Sequence, residues 1–179
     1  MNSCVRLVLV GMALAPGAAA GQAIPFSQHA TVSQRVGVTD IAIEYNRPTA
    51  RGRILFGQTG IVRSERVWNP GADSATRITF SRDVEVEGRA VAAGRYTLWL
   101  RPADAGPWTL IVSRAADVFH TPYPGEEGDV LRVAVTPETG SHMEALAFYF
   151  PVVLPDAAVL RMHWGTTIIA IRLRAPATE

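Results

Sequence analysis

Lysine is missing from this chain of 179 residues, and cysteine occurs once, as Cys4. Without lysine the protein cannot use a Schiff base or a serine–lysine pair, because both mechanisms need a lysine amine. Cys4 lies in a segment that we expect to be removed, so the remaining chain would contain neither a disulfide nor a thiolate metal site. All 17 basic residues are arginine, and we favour a bias in genomic base composition as the reason.

Long apolar runs are also missing, apart from one short run near the N-terminus. Residues 1–20 contain one charge, Arg6, then the apolar residues 7–15, and they end in three alanines, which is the order of a secretory signal. A membrane span needs about 20 apolar residues, so we expect no transmembrane segment. We expect cleavage after Ala20 or Ala23, and export to the periplasm or to the outside of the cell.

The chain also lacks an excess of charge of either sign. Loss of Arg6 with the signal leaves 16 arginines against 16 acidic residues. Because nucleic acids bind to basic surfaces, we expect no nucleic-acid partner. The 48% of hydrophobic residues excludes a largely disordered chain, and the length suits one domain with its own core.

Helical periodicity is missing after residue 20, and short segments of alternating apolar and polar residues take its place. We predict strands at 31–36, 39–45, 75–80, 83–86, 89–91, 94–101, 108–113, 130–136, 143–150, 157–164 and 166–174. Glu87-Gly88 is predicted to form a hairpin turn. About ten strands without intervening helices predict an all-β fold, a single antiparallel β-sandwich or jelly-roll-like domain over residues 27–175 with little helix.

The last two predicted strands indicate which face is buried. Every second residue from Leu160 to Trp164 is apolar, and so is every second residue from Ile169 to Leu173. Because strand residues alternate between faces, these sets should pack inward. Gly165 supplies a tight turn between the two strands. The sequence therefore predicts a C-terminal hairpin whose outer face carries arginines.

Two motifs in fixed order resemble a known family. They are Tyr45-Asn46-Arg47-Pro48 with Arg51-Gly52-Arg53-Ile54 and Phe56-Gly57, followed by Trp68-x-x-Gly71-Ala72-x-x-Ala75-Thr76. Shorter pieces at 30–34, 93–98 and 108–111 extend the resemblance over most of the chain from Thr31 to Leu173. The chain is similar to the DUF2911 family, a group of secreted bacterial proteins of unknown function. The resemblance implies a secreted single domain with an all-β fold, and it implies no reaction.

Arg47, Arg53 and Trp68 are the leading candidates for ligand contacts in these motifs. An arginine can hold a carboxylate or phosphate through two hydrogen bonds, but Arg47 and Arg53 can equally tie their loop to backbone carbonyls. Trp68 can stack on a sugar or an aromatic ligand, or it can close the end of the core beside the following turn. Asp73 is a further binding candidate, with stabilisation of its own turn as the alternative.

A second candidate site is the segment 119–124, which reads Phe-His-Thr-Pro-Tyr-Pro. His120 and Tyr123 lie beside prolines in a rigid loop that can line a pocket. An ordered crossover on the surface is the alternative interpretation of the same residues.

Histidines offer a possible metal site. Zinc takes imidazole and carboxylate ligands, and the candidates are His120, His142 and His163 with Glu126, Glu127 or Asp129. Their wide spacing favours ordinary surface or hydrogen-bonded histidines. We therefore expect no cofactor, with zinc as the alternative.

We predict no catalytic residues. No G-x-S-x-G motif marks a nucleophile, and no glycine-rich phosphate loop leads from a strand into a helix. We expect a non-catalytic β-sandwich that binds a small molecule, a glycan or a protein partner through its loops. The alternatives are a metal-assisted or carbohydrate-active hydrolase and a structural component of the cell envelope.

Overall fold

The computed structural model describes residues 26–176, which form ten strands in two antiparallel sheets, with no α-helix among them. The prediction of an all-β sandwich is confirmed. The predicted signal segment, its cleavage site and Cys4 lie outside the described residues. Residues 26–176 include no helix with the length and apolar character needed to cross a membrane.

The larger sheet has six strands in the order β1-β2-β3-β6-β7-β8. A short turn connects β1 and β2, whereas the long segment 48–76 lies between β2 and its other partner, β3. The strands are β1 (Gln28–Val36), β2 (Thr39–Arg47), β3 (Arg77–Phe80), β6 (Gly94–Arg101), β7 (Trp108–Ser113) and β8 (Asp129–Val135). A single 3-10 turn, Glu126–Gly128, precedes β8.

The smaller sheet has four strands in the order β5-β4-β10-β9. The strands are β4 (Val84–Val86), β5 (Arg89–Val91), β9 (Pro137–Val153) and β10 (Ala157–Arg174). The predicted turn between β4 and β5 is confirmed, with positive φ angles of 50° at Glu87 and 74° at Gly88. β9 is longer at both ends than the predicted strand 143–150.

The main core lies between the two sheets. Ile41 and Ile43 of β2 and Leu160 and Met162 of β10 are among its fully buried side chains. Burial of alternate strand residues gives each sheet one apolar inner face. A smaller second cluster, Ala75 with Trp99 and Ile111, lies apart from this core and is covered by Val67, Val118 and Tyr123.

β10 differs from the predicted pair of strands. It is one strand through Gly165, because Gly165 pairs with Met143 of β9, and the register shifts on both sides of it. Eighteen residues in a straight strand would span about 60 Å, yet the amide of Ala175, next after β10, donates to the carbonyl of Asp156, just before it, at 2.8 Å. The strand therefore reverses direction, and Gly165 has a positive φ of 59° in its middle.

The reversal keeps both predicted apolar sets inward. Leu160, Met162 and Trp164 are buried before Gly165, and Ile169, Ile171 and Leu173 are buried after it. These buried positions are even-numbered before Gly165 and odd-numbered after it. We predicted a turn between two strands at Gly165, whereas the structure has an irregular pairing within one continuous strand. The arginines of β10 lie on the outer face, as predicted.

Candidate functional site

The segment between β2 and β3 joins the two sheets. The amide of Ala50 donates to Glu144 O at 2.8 Å, and the amide of Leu146 donates to Pro48 O at 2.9 Å. The segment thus runs beside β9 of the smaller sheet while it leaves β2 of the larger one. The first of the two sequence motifs, Tyr45 to Phe56, therefore closes one side of the sandwich.

The two candidate arginines in this segment both bond to backbone carbonyls. Arg47 Nε donates to Leu146 O at 2.9 Å. Arg53 Nε donates to Ala50 O at 2.9 Å, and its Nη2 donates to Thr49 O at 2.6 Å. Neither arginine has an ion-pair partner among residues 26–176. Each guanidinium has further N–H groups that these hydrogen bonds do not use.

Trp68 is half-buried and held against β6. Its amide and carbonyl exchange 2.8 Å hydrogen bonds with Leu100. Its ring stacks on Trp164 with centroids 5.9 Å apart and an interplanar angle of 15°, and the edge of Phe56 approaches it at 5.7 Å. One face of the Trp68 ring is therefore occupied by protein, so the ring contributes to the core and also reaches a cavity.

Asn69 is a residue that the sequence reasoning missed. Its side chain is fully buried, with Nδ2 donating to Leu98 O at 2.8 Å and Oδ1 accepting from the Thr76 amide at 2.9 Å. The Thr76 hydroxyl donates to Pro70 O at 2.8 Å. These bonds fix the shape of the second motif, so much of that motif has a structural role.

A cavity of about 320 Å³ lies beside this segment. It brings together Arg53, Trp68 and His120, three of the predicted site residues. Its apolar wall is formed by side chains from three parts of the chain, Ile61, Val62, Val67, Trp68 and Trp164, and Pro48, Gly71 and Thr121 complete it. Ile61 and Trp164 were not predicted as site residues, because nothing in the local pattern places them at this opening.

His120 is oriented by Asp73. The His120 amide and its Nδ1 both lie against Asp73 O, at 2.8 Å and 2.9 Å. A carbonyl only accepts, so Nδ1 carries the proton in that hydrogen bond and Nε2 is left for another partner. Asp73 has a positive φ of 59° and an exposed side chain, so its contribution here is made by its backbone.

Tyr123 lies in a different environment from His120. Its ring meets Trp99 edge-on at 5.2 Å, and its hydroxyl donates to Asp129 Oδ2 at 2.5 Å. Burial, followed by the hydrogen bond to the Asp129 carboxylate, raises the pKa of the Tyr123 phenol. Arg132 also bonds Asp129 Oδ2, at 2.7 Å. Tyr123 thus holds the 115–128 loop over the second cluster and does not line the cavity.

The three candidate histidines have separate partners. His142 Nε2 lies 3.0 Å from Glu144 Oε2, and the buried His163 lies 2.9 Å from Ser141 O and 3.3 Å from the Tyr149 hydroxyl. Within residues 26–176 no three histidine, cysteine or acidic side chains are arranged to hold a metal ion.

Comparison with known proteins gives one match. The family model described as protein of unknown function, DUF2911, matches residues 27–173. No curated protein and no solved structure matches the chain.

Proposed function

The chain belongs to the DUF2911 family, and we propose that it is a non-catalytic binding domain for a small amphipathic acid. The observation that carries the proposal is the cavity in which Arg53 and His120 face an apolar wall built around Trp68 and Trp164. Binding pockets typically combine such a wall with a few polar groups that orient the ligand. The order of residues 1–20 supports a place of action outside the cytoplasm.

The apolar wall suits the body of such a ligand. Val62 and Trp164 are buried within the core, while Ile61 is 47% exposed at the opening. A ligand that covers Ile61 and the free part of Trp68 removes apolar surface from water, which contributes roughly 25 cal/mol per Å².

The polar end suits an acid group. The guanidinium of Arg53 is held by two carbonyls, so its remaining N–H groups are already oriented, and a carboxylate would accept from them. His120 Nε2 and the hydroxyl of Thr121 offer further polar contacts nearby. A fixed donor loses little conformational entropy when the ligand binds.

The same lining favours binding over chemistry. The described residues that line this cavity include no carboxylate, serine or cysteine. Paired carboxylates, which glycoside hydrolysis needs, are therefore not supplied there. A binding role needs only the arginine, the histidine and the apolar side chains that line the cavity.

The test is ligand-observed NMR with 3-phenylpropionate and its neutral amide as probes. We expect the acid to bind more tightly than the amide. Ile61→Glu adds a negative charge at the opening and should weaken binding of the acid by about tenfold or more, since like charges brought together at an interface cost several kcal/mol. Leu154→Glu is the control, because Leu154 is 55% exposed and lies between β9 and β10, where it does not line the cavity. Equal loss in both variants, or no binding of either probe, would contradict the proposal.

A further inference from the structure

Two large apolar side chains protrude from the segment between β2 and β3, and a third, Phe26 before β1, lies against Arg51 of that segment. Ile54 is 64% exposed and Ile61 is 47% exposed, and the Ile61 amide donates to Ile54 O at 3.1 Å, so the two residues are neighbours. Phe26 is 83% exposed, and the guanidinium of Arg51 lies 4.5 Å from the centre of its ring. Exposed apolar groups that lie together indicate an interaction surface.

Arginines that form no ion pair within residues 26–176 lie near these side chains. Eight arginines of the described residues form ion pairs, and none of them comes from residues 47–66. That segment contains Arg47, Arg51, Arg53, Arg63 and Arg66. Its one acidic residue, Glu65, is paired with Arg101 from outside the segment. Two further carboxylates contact the segment, since Glu144 accepts from the Arg51 amide and Asp104 accepts from Gln58 and Ser64. The five arginines outnumber these carboxylates and Glu65, so the segment with its contacts carries a net positive charge.

The geometry of the segment places charge and apolar groups on the same side. Val62 is buried between the exposed Ile61 and Arg63, and it pairs with Phe56 in an isolated bridge. Alternate residues of an extended chain point in the same direction, so Arg63 projects on the side of Ile61. A turn at Ser64 and Glu65 follows, in which the Arg66 amide donates to Arg63 O at 3.4 Å, so Arg66 lies next to Arg63. We call the surface formed by Phe26, Arg51, Arg53, Ile54, Ile61, Arg63 and Arg66 the arginine–isoleucine patch.

We infer that the arginine–isoleucine patch docks onto an anionic lipid surface. Protruding apolar side chains can enter the boundary between headgroups and acyl chains, and flanking cations then meet lipid phosphates. Arginine suits this contact because its planar fork matches a phosphate. A protein partner is the less favoured occupant, because tight protein interfaces centre on side chains packed in pockets, whereas these isoleucines stand above the surface.

The inference does not rest on the small ligand proposed above. Ile54, Arg63 and Arg66 do not line the cavity. The two proposals share Arg53 and Ile61, so the experiment changes neither of these residues. Failure of lipid binding would leave ligand binding in the cavity testable on the same protein.

The experiment is co-sedimentation of the full chain with vesicles of phosphatidylcholine, with or without 30 mol% phosphatidylglycerol. We compare Arg63→Gln/Arg66→Gln with the matched pair Arg82→Gln/Arg89→Gln. All four side chains are exposed, and none has an ion pair within residues 26–176. The two double variants lose the same charge, and both keep residues 1–25, so their difference reports the patch alone.

We expect binding to the anionic vesicles and weaker binding to the neutral ones. Each surface cation contributes about fivefold to binding, so the Arg63/Arg66 pair should weaken it roughly 25-fold and added salt should reduce it. The Arg82/Arg89 pair should bind as wild type, and Ile54→Ser should also weaken binding. Equal effects of the two arginine pairs, or equal binding to both kinds of vesicle, would overturn the inference, as would no binding at all.

Discussion

Asn69 shows at the residue scale how a buried amide can hold a loop. Its amide group satisfies the Leu98 carbonyl and the Thr76 amide, both buried in the same region. We predict that Asn69→Ala lowers the free energy of unfolding by about 2–5 kcal/mol, because each buried group left without a partner costs about 1–3 kcal/mol. Urea unfolding measures this value.

Asn46→Ala is the matched control for that prediction. Asn46 is only partly buried: its Nδ2 donates to Ala72 O at 2.8 Å, and its Oδ1 accepts from the exposed His29 Nδ1 at 3.2 Å, a bond that water can replace. We expect a loss of about 1 kcal/mol for it, the usual contribution of one hydrogen bond. A loss at Asn69 no larger than at Asn46 would show that the loop relaxes and finds other partners.

The sequence singled out three residues that line one cavity, but not the structural role of each candidate residue. Arg53 and Trp68 come from the segment between β2 and β3, and His120 comes from the loop between β7 and β8, yet all three line one cavity. Asn69 was missed because its carbonyl partner lies 29 residues away in the chain. Tyr123 was grouped with His120 by sequence proximity, whereas its ring packs on the second cluster. Long-range packing decides these roles, and no local pattern records it.

At the scale of a single strand, Gly165 is the residue at which β10 changes direction. Its φ is 59°, and a Cβ there would lie 2.6 Å from Cδ1 of Leu55. We predict that Gly165→Ala lowers the free energy of unfolding by roughly 2–4 kcal/mol, since the left-handed backbone costs about 1–2 kcal/mol and crowding in a packed core costs more.

Gly88→Ala separates these two contributions. Gly88 has a φ of 74°, but a Cβ there meets nothing within 4 Å. The Gly88 variant should therefore lose only the backbone term of about 1–2 kcal/mol. If both glycine variants unfold at the same urea concentration, Leu55 moves aside without cost and the predicted crowding is wrong.

Most strands could be predicted because their residues alternate with a period of two. Trp108 to Ser113 was predicted to the residue, and the Glu87-Gly88 turn was correct. The ends of β9 were missed, because polar residues such as Thr139 look like a loop when their pairing partner is unknown. The continuity of β10 was missed for the same reason, since Gly165 looks like a turn residue until its pairing with Met143 of β9 is known.

At the scale of the whole molecule, the cavity is a consequence of how the sheets are joined. Trp164 comes from the smaller sheet, and Trp68 is held against the larger one through Leu100. Only assembly of both sheets brings these rings to 5.9 Å. A site that forms between sheets cannot be recognised in either segment alone, although each tryptophan is visible in the sequence.

The stability of the whole molecule should depend on pH through two carboxylates that join separate segments. Glu44 of β2 accepts from Arg77 Nη2 of β3 at 2.6 Å, and this hydrogen bond is the main cause that lowers the pKa of Glu44. The hydroxyl of Ser64 and the amide of Gln58 lower the pKa of Asp104. Because the folded state favours the ionised form, these groups stabilise it above their ordinary pKa values. That stabilisation is lost as the pH falls from the ordinary pKa values through the lowered folded-state values.

We therefore predict that Glu44→Gln/Asp104→Asn has a lower melting temperature than the wild type between pH 5 and 8. The loss in unfolding free energy from the Glu44 ion pair should be less than about 1 kcal/mol, because solvent reaches the pair. The difference should shrink as the pH is lowered toward about 2–3, because the wild-type carboxyls take up protons as the pH falls through their lowered pKa values. Glu127→Gln is the control, since Glu127 is exposed and has no ion pair within residues 26–176. A difference that persists unchanged at pH 2–3 would mean that the substitutions disturb packing, and that these carboxylates do not stabilise the fold through their charge.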